Sequence, residues 1–115
     1  MIVAGFGFSS RATLASLQGA LAATGGAPEA LATLADKAPA LAPLAEALNL
    51  PLIPVAGPLP ETLTQSEASR NARGTGSVAE ACALAAAGPG AYLLGPRAVS
   101  PDRLATCALA EGGQA

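Results

Sequence analysis

Ile2-Val3-Ala4-Gly5-Phe6-Gly7-Phe8-Ser9-Ser10 is the stretch that decides the fold. Ile2 to Phe6 is a short continuous apolar run, the pattern of a strand covered on both faces. It leads into Gly5-Phe6-Gly7-Phe8-Ser9-Ser10, a GxGxxG-like turn with Ser in the last place. Two glycines let the backbone turn sharply and let a ligand approach it. Ser9 or Ser10 then caps a helix whose free N–H groups attract an anion. Leu14, Leu17 and Leu21 give that helix one apolar stripe, and Gly25-Gly26 ends it.

The same alternation continues outward. Leu31–Leu34 reads as a second strand. Pro39 suits the first turn of a second helix with Leu41, Leu44, Ala45 and Leu48 inside. Leu50–Val55 reads as a third strand, and its prolines Pro51 and Pro54 place it at an edge. Gly57–Arg73 is irregular, with one helical turn at Pro60–Leu63 and a polar loop from Ser66. Ser77 and Glu80 have capping-box spacing for a third helix, with Val78, Cys82, Ala85 and Ala86 inward. Its small residues let it lie close to the sheet, and Gly88-Pro89-Gly90 stops it. Ala91–Leu94 and Leu104–Ala110 are the last strands, with Gly95–Arg103 a turn between them. The order predicts an α/β domain spanning residues 1–115. The expected architecture is a three-layer α/β/α sandwich on a mostly parallel mixed sheet of about five strands, with one antiparallel pair at the end.

Composition excludes several classes of function. The chain has 115 residues, no His and a net charge of −2. Without His, neither a Ser-His-Asp nor a Cys-His nucleophile can be assembled, and the commonest zinc ligand is missing. No metal and no cofactor is expected. Mild acidity and only three aromatic residues, Phe6, Phe8 and Tyr92, argue against nucleic acid. No apolar stretch approaches ~20 residues, so no membrane partner is expected, and the chain reads as cytoplasmic. Cys82 and Cys107 stand among apolar neighbours and read as small core residues.

The chemistry therefore falls on the turns that leave the strands. Gly5, Gly7, Ser9 and Ser10 form the first anion-receptive turn. Arg11 is a cation at a helix start, where the dipole disfavours it unless it meets an anion. Lys37 directly follows the second strand, and ligands of open α/β sheets sit outside the carboxyl ends of strands. Thr75, Gly76 and Ser77 repeat the Gly/hydroxyl pattern ahead of a helix. Glu80 is either a cap for Ser77 or a ligand contact. Arg70 and Arg73 lie on the polar loop and suit an anion. Asp36 stands where a ribose-binding acid would, but somewhat far from the glycines, and no G-x-x-x-x-G-K-[ST] motif is present.

These segments in this order resemble the CobE family, found also as the C-terminal domain of CbiG, of cobalamin biosynthesis. The resemblance rests on Val3-Ala4-Gly5-Phe6-Gly7, Leu31-Ala32-Thr33-Leu34 with Asp36-Lys37, and Leu44-Ala45-Glu46-Ala47-Leu48-Asn49-Leu50-Pro51-Leu52. Its most specific piece is Gly76-Ser77-Val78-Ala79-Glu80-Ala81-Cys82-Ala83-Leu84, and Ala105-Thr106-Cys107-Ala108-Leu109-Ala110 closes it. It departs at Ala40, where relatives place a Glu three residues after the lysine. That departure removes a Lys–Glu pairing there.

The resemblance implies a three-layer α/β/α fold and a part in making the corrin ring. The expected partner is an anionic precorrin or corrinoid intermediate, bound or handed on, with other corrin-pathway enzymes as possible neighbours. The alternatives are an enzyme opening a lactone or catalysing a rearrangement on a precorrin, and a small nucleotide-binding domain. Glu80, Asp36 and Lys37 are the acid–base candidates for turnover, and none is distinguished as a base by its surroundings in the sequence.

Overall fold

In a computed structural model, strand β1 (Ile2–Phe8) runs straight through both glycines. The structure describes residues 1–55, 75–88, 90–95 and 97–112. The predicted Gly5–Gly7 turn is therefore strand. The reason is the C-terminal strand β6 (Ala105–Glu111), which pairs antiparallel with β1 over its full length, from Ile2 opposite Glu111 to Phe8 opposite Ala105. Even Ser9 still donates its N–H to Leu104 O, at 3.0 Å.

The chain turns only after that. Ser9 O accepts from Ala12 N–H and Ser9 Oγ from Arg11 N–H. Helix α1 (Leu14–Thr24) is capped by Thr13, four residues after Ser9 and three after Ser10, the predicted caps. Thr13 Oγ1 accepts from Ser16 N–H while Ser16 Oγ accepts from Thr13 N–H, a reciprocal box with Ser in place of Glu. Gly25, at φ 73°, ends the helix in the left-handed conformation that glycine adopts without strain.

Strand β2 (Ala30–Leu34) lies parallel to β1, and β3 (Leu52–Val55) parallel to β2. A single 3-10 turn, Ala35–Lys37, and helix α2 (Ala38–Leu48) join β2 to β3. Beyond helix α3 (Thr75–Ala87), two short strands, β4 (Tyr92–Leu93) and β5 (Ala98–Val99), pair antiparallel with β6. Among the described residues the strands form a six-stranded mixed sheet in the order β3-β2-β1-β6-β4, with β5 also on β6. The proline-bearing β3 is at an edge, as expected. The antiparallel part exceeds the single predicted pair, because β6 inserts between β1 and β4 and because Ala98-Val99 forms a strand inside the predicted turn. The Gly57–Arg73 segment, including Pro60–Leu63, Arg70 and Arg73, lies outside the described residues.

Side-chain alternation divides the sheet into two unlike faces. Ala4, Phe6 and Phe8 join Leu31, Cys107 and Leu109 under Leu17, Ala20, Leu41, Leu44 and Ala45 of α1 and α2. Leu14 and Leu48, expected inside, remain partly exposed at the rim. On the other face stand Val3, Ala30 and Ala32 with Cys82 of α3. There the third layer, α3, packs across β1, β6 and β2. Its buried stripe is Ala79, Cys82 and Ala83; Ala85, predicted inward, is exposed.

Gly5 is the close point of that contact. A Cβ on Gly5 would stand 2.2 Å from Ala79 O and 2.5 Å from Ala83 N. Two backbones touch here, and no side-chain rotation can make room. The glycine thus serves helix packing, and no ligand can reach it from that side.

A polar latch closes the opposite layer. The Asp102 carboxylate accepts from Ser16 Oγ and Ser100 Oγ, each at 2.6 Å, and from Leu104 N–H at 3.1 Å. Ser16 and Ser100 are buried, and Ser100 Oγ in turn accepts from Ala105 N–H. The latch ties the first turn of α1 to the turn that begins β6. The donated hydrogen bonds, first from Ser100 and then from Ser16, hold the Asp102 carboxyl below its ordinary value.

Two expectations follow from this packing. Gly5→Ala forces α3 off the sheet and should cost about 3 kcal/mol or more, the scale of severe overpacking; thermal melting checks it. Asp102→Asn should lower the melting temperature at neutral pH. Because the folded carboxyl titrates below the unfolded one, its contribution is complete above the unfolded value of about 3.9 and fades as pH falls through the folded value. Melting curves of the two proteins should therefore converge in acid and stay apart from about pH 5 upward.

Candidate functional site

The carboxyl ends of β1 and β2 gather most of the polar residues that the sequence singled out. Leu34 ends β2, the 3-10 turn follows, and Lys37 comes directly before α2. Its side chain lies back across the end of β1. Lys37 Nζ donates to Phe8 O at 3.2 Å and stands 5.2 Å from the centroid of the Phe8 ring. The ammonium is thus positioned by a carbonyl and a ring face, and it has donors left over for a ligand. Lys37 and the exit from β1 share one sheet edge, as predicted.

Ser9, Ser10 and Arg11 follow at the same edge. Ser10 and Arg11 are exposed and Ser9 is half-buried. Ser9 builds the turn through both its carbonyl and its hydroxyl, so its Oγ already accepts one bond. Gly7 is buried in the strand, and its carbonyl accepts from Thr106 Oγ1 at 3.2 Å. Gly5 and Gly7 therefore line no ligand cradle, and the dinucleotide reading loses the glycine loop it needs. Asp36 is exposed in the 3-10 turn.

Helix α3 brings its first turn to this edge too. Ala79 and Ala83 lie over Gly5, while Ala87 O comes close to Gly112, whose N–H donates to Met1 O. The helix therefore runs from the carboxyl end of β1 toward its amino end. Thr75 and Gly76 open it, so the helix is already running at Ser77. The side chain of Ser77, and with it the predicted reciprocal box with Glu80, lies outside the described residues. Glu80 stands one turn along the helix, partly exposed.

Other expectations concern chemistry at a distance from this edge. Burial pushes the Cys82 thiol up to about 11 and the Cys107 thiol up to about 12. The two face opposite sides of the sheet, so neither is a nucleophile at neutral pH nor a partner for the other. Among the described residues, no group of three His, Cys, Asp or Glu side chains could hold a metal ion. Likewise, no helix among them is long and apolar enough to cross a membrane. A groove of about 490 Å³ between the end of α1 and the β4–β5 connection is lined by Thr24, Leu94, Arg97 and Val99. It lies beside Leu109, toward the other end of β6 from Ala105.

The sequence reading missed Arg103, Ser16 and Asp102. Thr13-x-x-Ser16 and Ser100-Pro101-Asp102 are capping and turn patterns that could have flagged the last two. The placement of Arg103 depends on the β1–β6 register, which no local pattern shows.

The chain matches the family model described as "Cobalamin synthesis G C-terminus" over residues 2–110. Among solved structures it is similar to the cobalamin biosynthesis protein chiG from Agrobacterium tumefaciens str. C58, with a TM-score of 0.74 and 38% identity, covering 99% of this chain and 100% of that one. It is also similar to CobE, a protein from the cobalamin (vitamin B12) biosynthetic pathway, with a TM-score of 0.66 and 31% identity, covering 96% of this chain and 89% of that one. A comparison with curated proteins gave no match. A family match over nearly the whole chain, agreeing with the fold, places the chain in the cobalamin-synthesis G C-terminal family, which the sequence had suggested.

Proposed function

We propose that this protein binds an anionic corrin-pathway intermediate, a precorrin or corrinoid acid, at the carboxyl edge of its sheet. The observation that carries the reading is the position of Lys37. A cation just ahead of a helix start is opposed by the helix dipole, at a cost of some tenths of a kcal/mol. Folding alone would favour Asp or Ser there. The protein instead keeps a lysine and holds its ammonium in place with Phe8, next to the Ser9–Arg11 turn and the first turn of α3. That arrangement suits a carboxylate ligand, and intermediates of corrin synthesis carry many carboxylates. The family supports the same ligand class. Binding is preferred to turnover because no general base is built against Lys37 among the described residues.

The test is titration with hydrogenobyrinic acid, followed by its visible absorbance. At about 100 μM of each partner, even binding near the micromolar-to-millimolar boundary should shift the spectrum. Affinity should weaken with salt, because part of it is charge attraction. Lys37→Ala should cost about 1–3 kcal/mol of binding. It should cost the fold no more than about 1 kcal/mol, the worth of a half-exposed cation–π contact. An unchanged spectrum with the parent protein, or equal affinity of Lys37→Ala at low salt, would overturn the proposal.

A further inference from the structure

Arg103 breaks a local rule. Its φ is 64°, in the left-handed region where residues with side chains, other than Asn and Asp, are seldom found. The turn Ser100–Arg103 holds it there, closed by Arg103 N–H on Ser100 O at 2.9 Å. Glycine would make the same turn without the cost of a Cβ. Nothing described in the fold uses the guanidinium in return. Arg103 is exposed, and its side chain has no hydrogen bond, ion pair or ring contact among the described residues. Its neighbour Asp102 is already engaged by Ser16, Ser100 and Leu104.

Register fixes where this arginine stands. Phe8 is opposite Ala105, and Ser9 N–H donates to Leu104 O. Arg103 is the next residue outward from Leu104, in the turn that precedes β6 at the carboxyl end of β1. Lys37 reaches the same strand end from the opposite side, from β2, with Nζ on Phe8 O. The two cations therefore flank the exit of β1, one from each neighbouring strand.

We infer that Arg103 is a second anion-binding residue of this edge, and that the ligand carries at least two carboxylates, one met by Lys37 and the other by Arg103. The inference rests on the corrin-acid reading of the site. Arginine suits the role because its planar fork can hold a carboxylate through two parallel bonds, so its position matters more than its charge alone.

The experiment titrates hydrogenobyrinic acid into the parent protein, Arg103→Gly, Arg103→Asn, Lys37→Ala and the Lys37→Ala/Arg103→Gly double variant at low salt. Glycine and asparagine both accept the left-handed conformation, so both variants should melt no lower than the parent. Both should nonetheless bind about tenfold more weakly, the scale of one charge-assisted hydrogen bond. Binding lost without stability lost separates a ligand contact from a structural arginine. Two independent carboxylate contacts make the losses multiply, so the double variant should fall by the product of the two single effects. Parent-like affinity in Arg103→Gly and Arg103→Asn, while the parent binds, would overturn this inference and leave the proposed function standing. A double variant no weaker than the worse single one would overturn the two-carboxylate assignment. A parent protein that does not bind would overturn both readings.

Discussion

The contact of helix α3 with strand β1 sets the geometry on which the rest of the molecule depends. Ala79 O and Ala83 N lie so close to Gly5 that no Cβ fits between them. Around that point the sheet face carries Val3, Ala30, Ala32, Ala108 and Ala110, while the helix offers Ala79, Cys82 and Ala83. Small side chains on both sides bring the layers together, and dispersion over many short contacts replaces the bulk that aromatic residues would supply. The other face is built differently, with Phe6, Phe8, Leu31 and Leu109 meeting the leucines of α1 and α2. One strand thus serves two cores of unlike texture, and the alternation of Gly5 and Gly7 with Phe6 and Phe8 is the local expression of that division.

The same contact orients the functional edge. With α3 fixed across β1, its direction is fixed, and its first turn comes to the end where β1 and β2 stop. Helices α1 and α2 begin there as well, since each follows a strand of the parallel part. Three helix starts and the cations Arg11, Lys37 and Arg103 therefore collect at one side of the sheet, with Asp36 and Asp102 as acids there. The Asp102 carboxylate is occupied by its three donors. Among the described residues, the cations left without an acid partner at this edge are brought together by topology more than by any single residue.

How much of this was legible beforehand follows from the range of each interaction. The strands Leu31–Leu34 and Leu50–Val55, the Gly25 stop, Pro39 in the first turn of α2 and the edge position of the proline-bearing strand are short-range signals, and they were readable. The closeness of α3 was readable too, from its alanines. The Gly5–Gly7 segment was misread because a glycine-rich turn and a glycine-rich strand under a close helix share one local pattern. Only β6, about a hundred residues away in the chain, decides between them. Lys37 was found because it follows a strand directly. Arg103 was missed because its place at the site comes only from pairing.

Lys37 and Arg103 have something further in common. Each sits where local physics prefers another residue: Lys37 against the helix dipole, Arg103 in a backbone conformation suited to glycine. At other positions local choices mostly agree with the global one, although Pro43 stands inside α2. Gly25 and Asn49 take left-handed caps, Thr13 caps α1, and apolar residues fill the sheet faces. Sequences that fold well satisfy such rules at most positions, and exceptions concentrate where function competes with stability. Lys37 and Arg103 are both cations, and both stand at one sheet edge on either side of the same strand end. Folding supplies no reason for that coincidence. The proposed ligand, with negative charge on both sides of β1, would supply one.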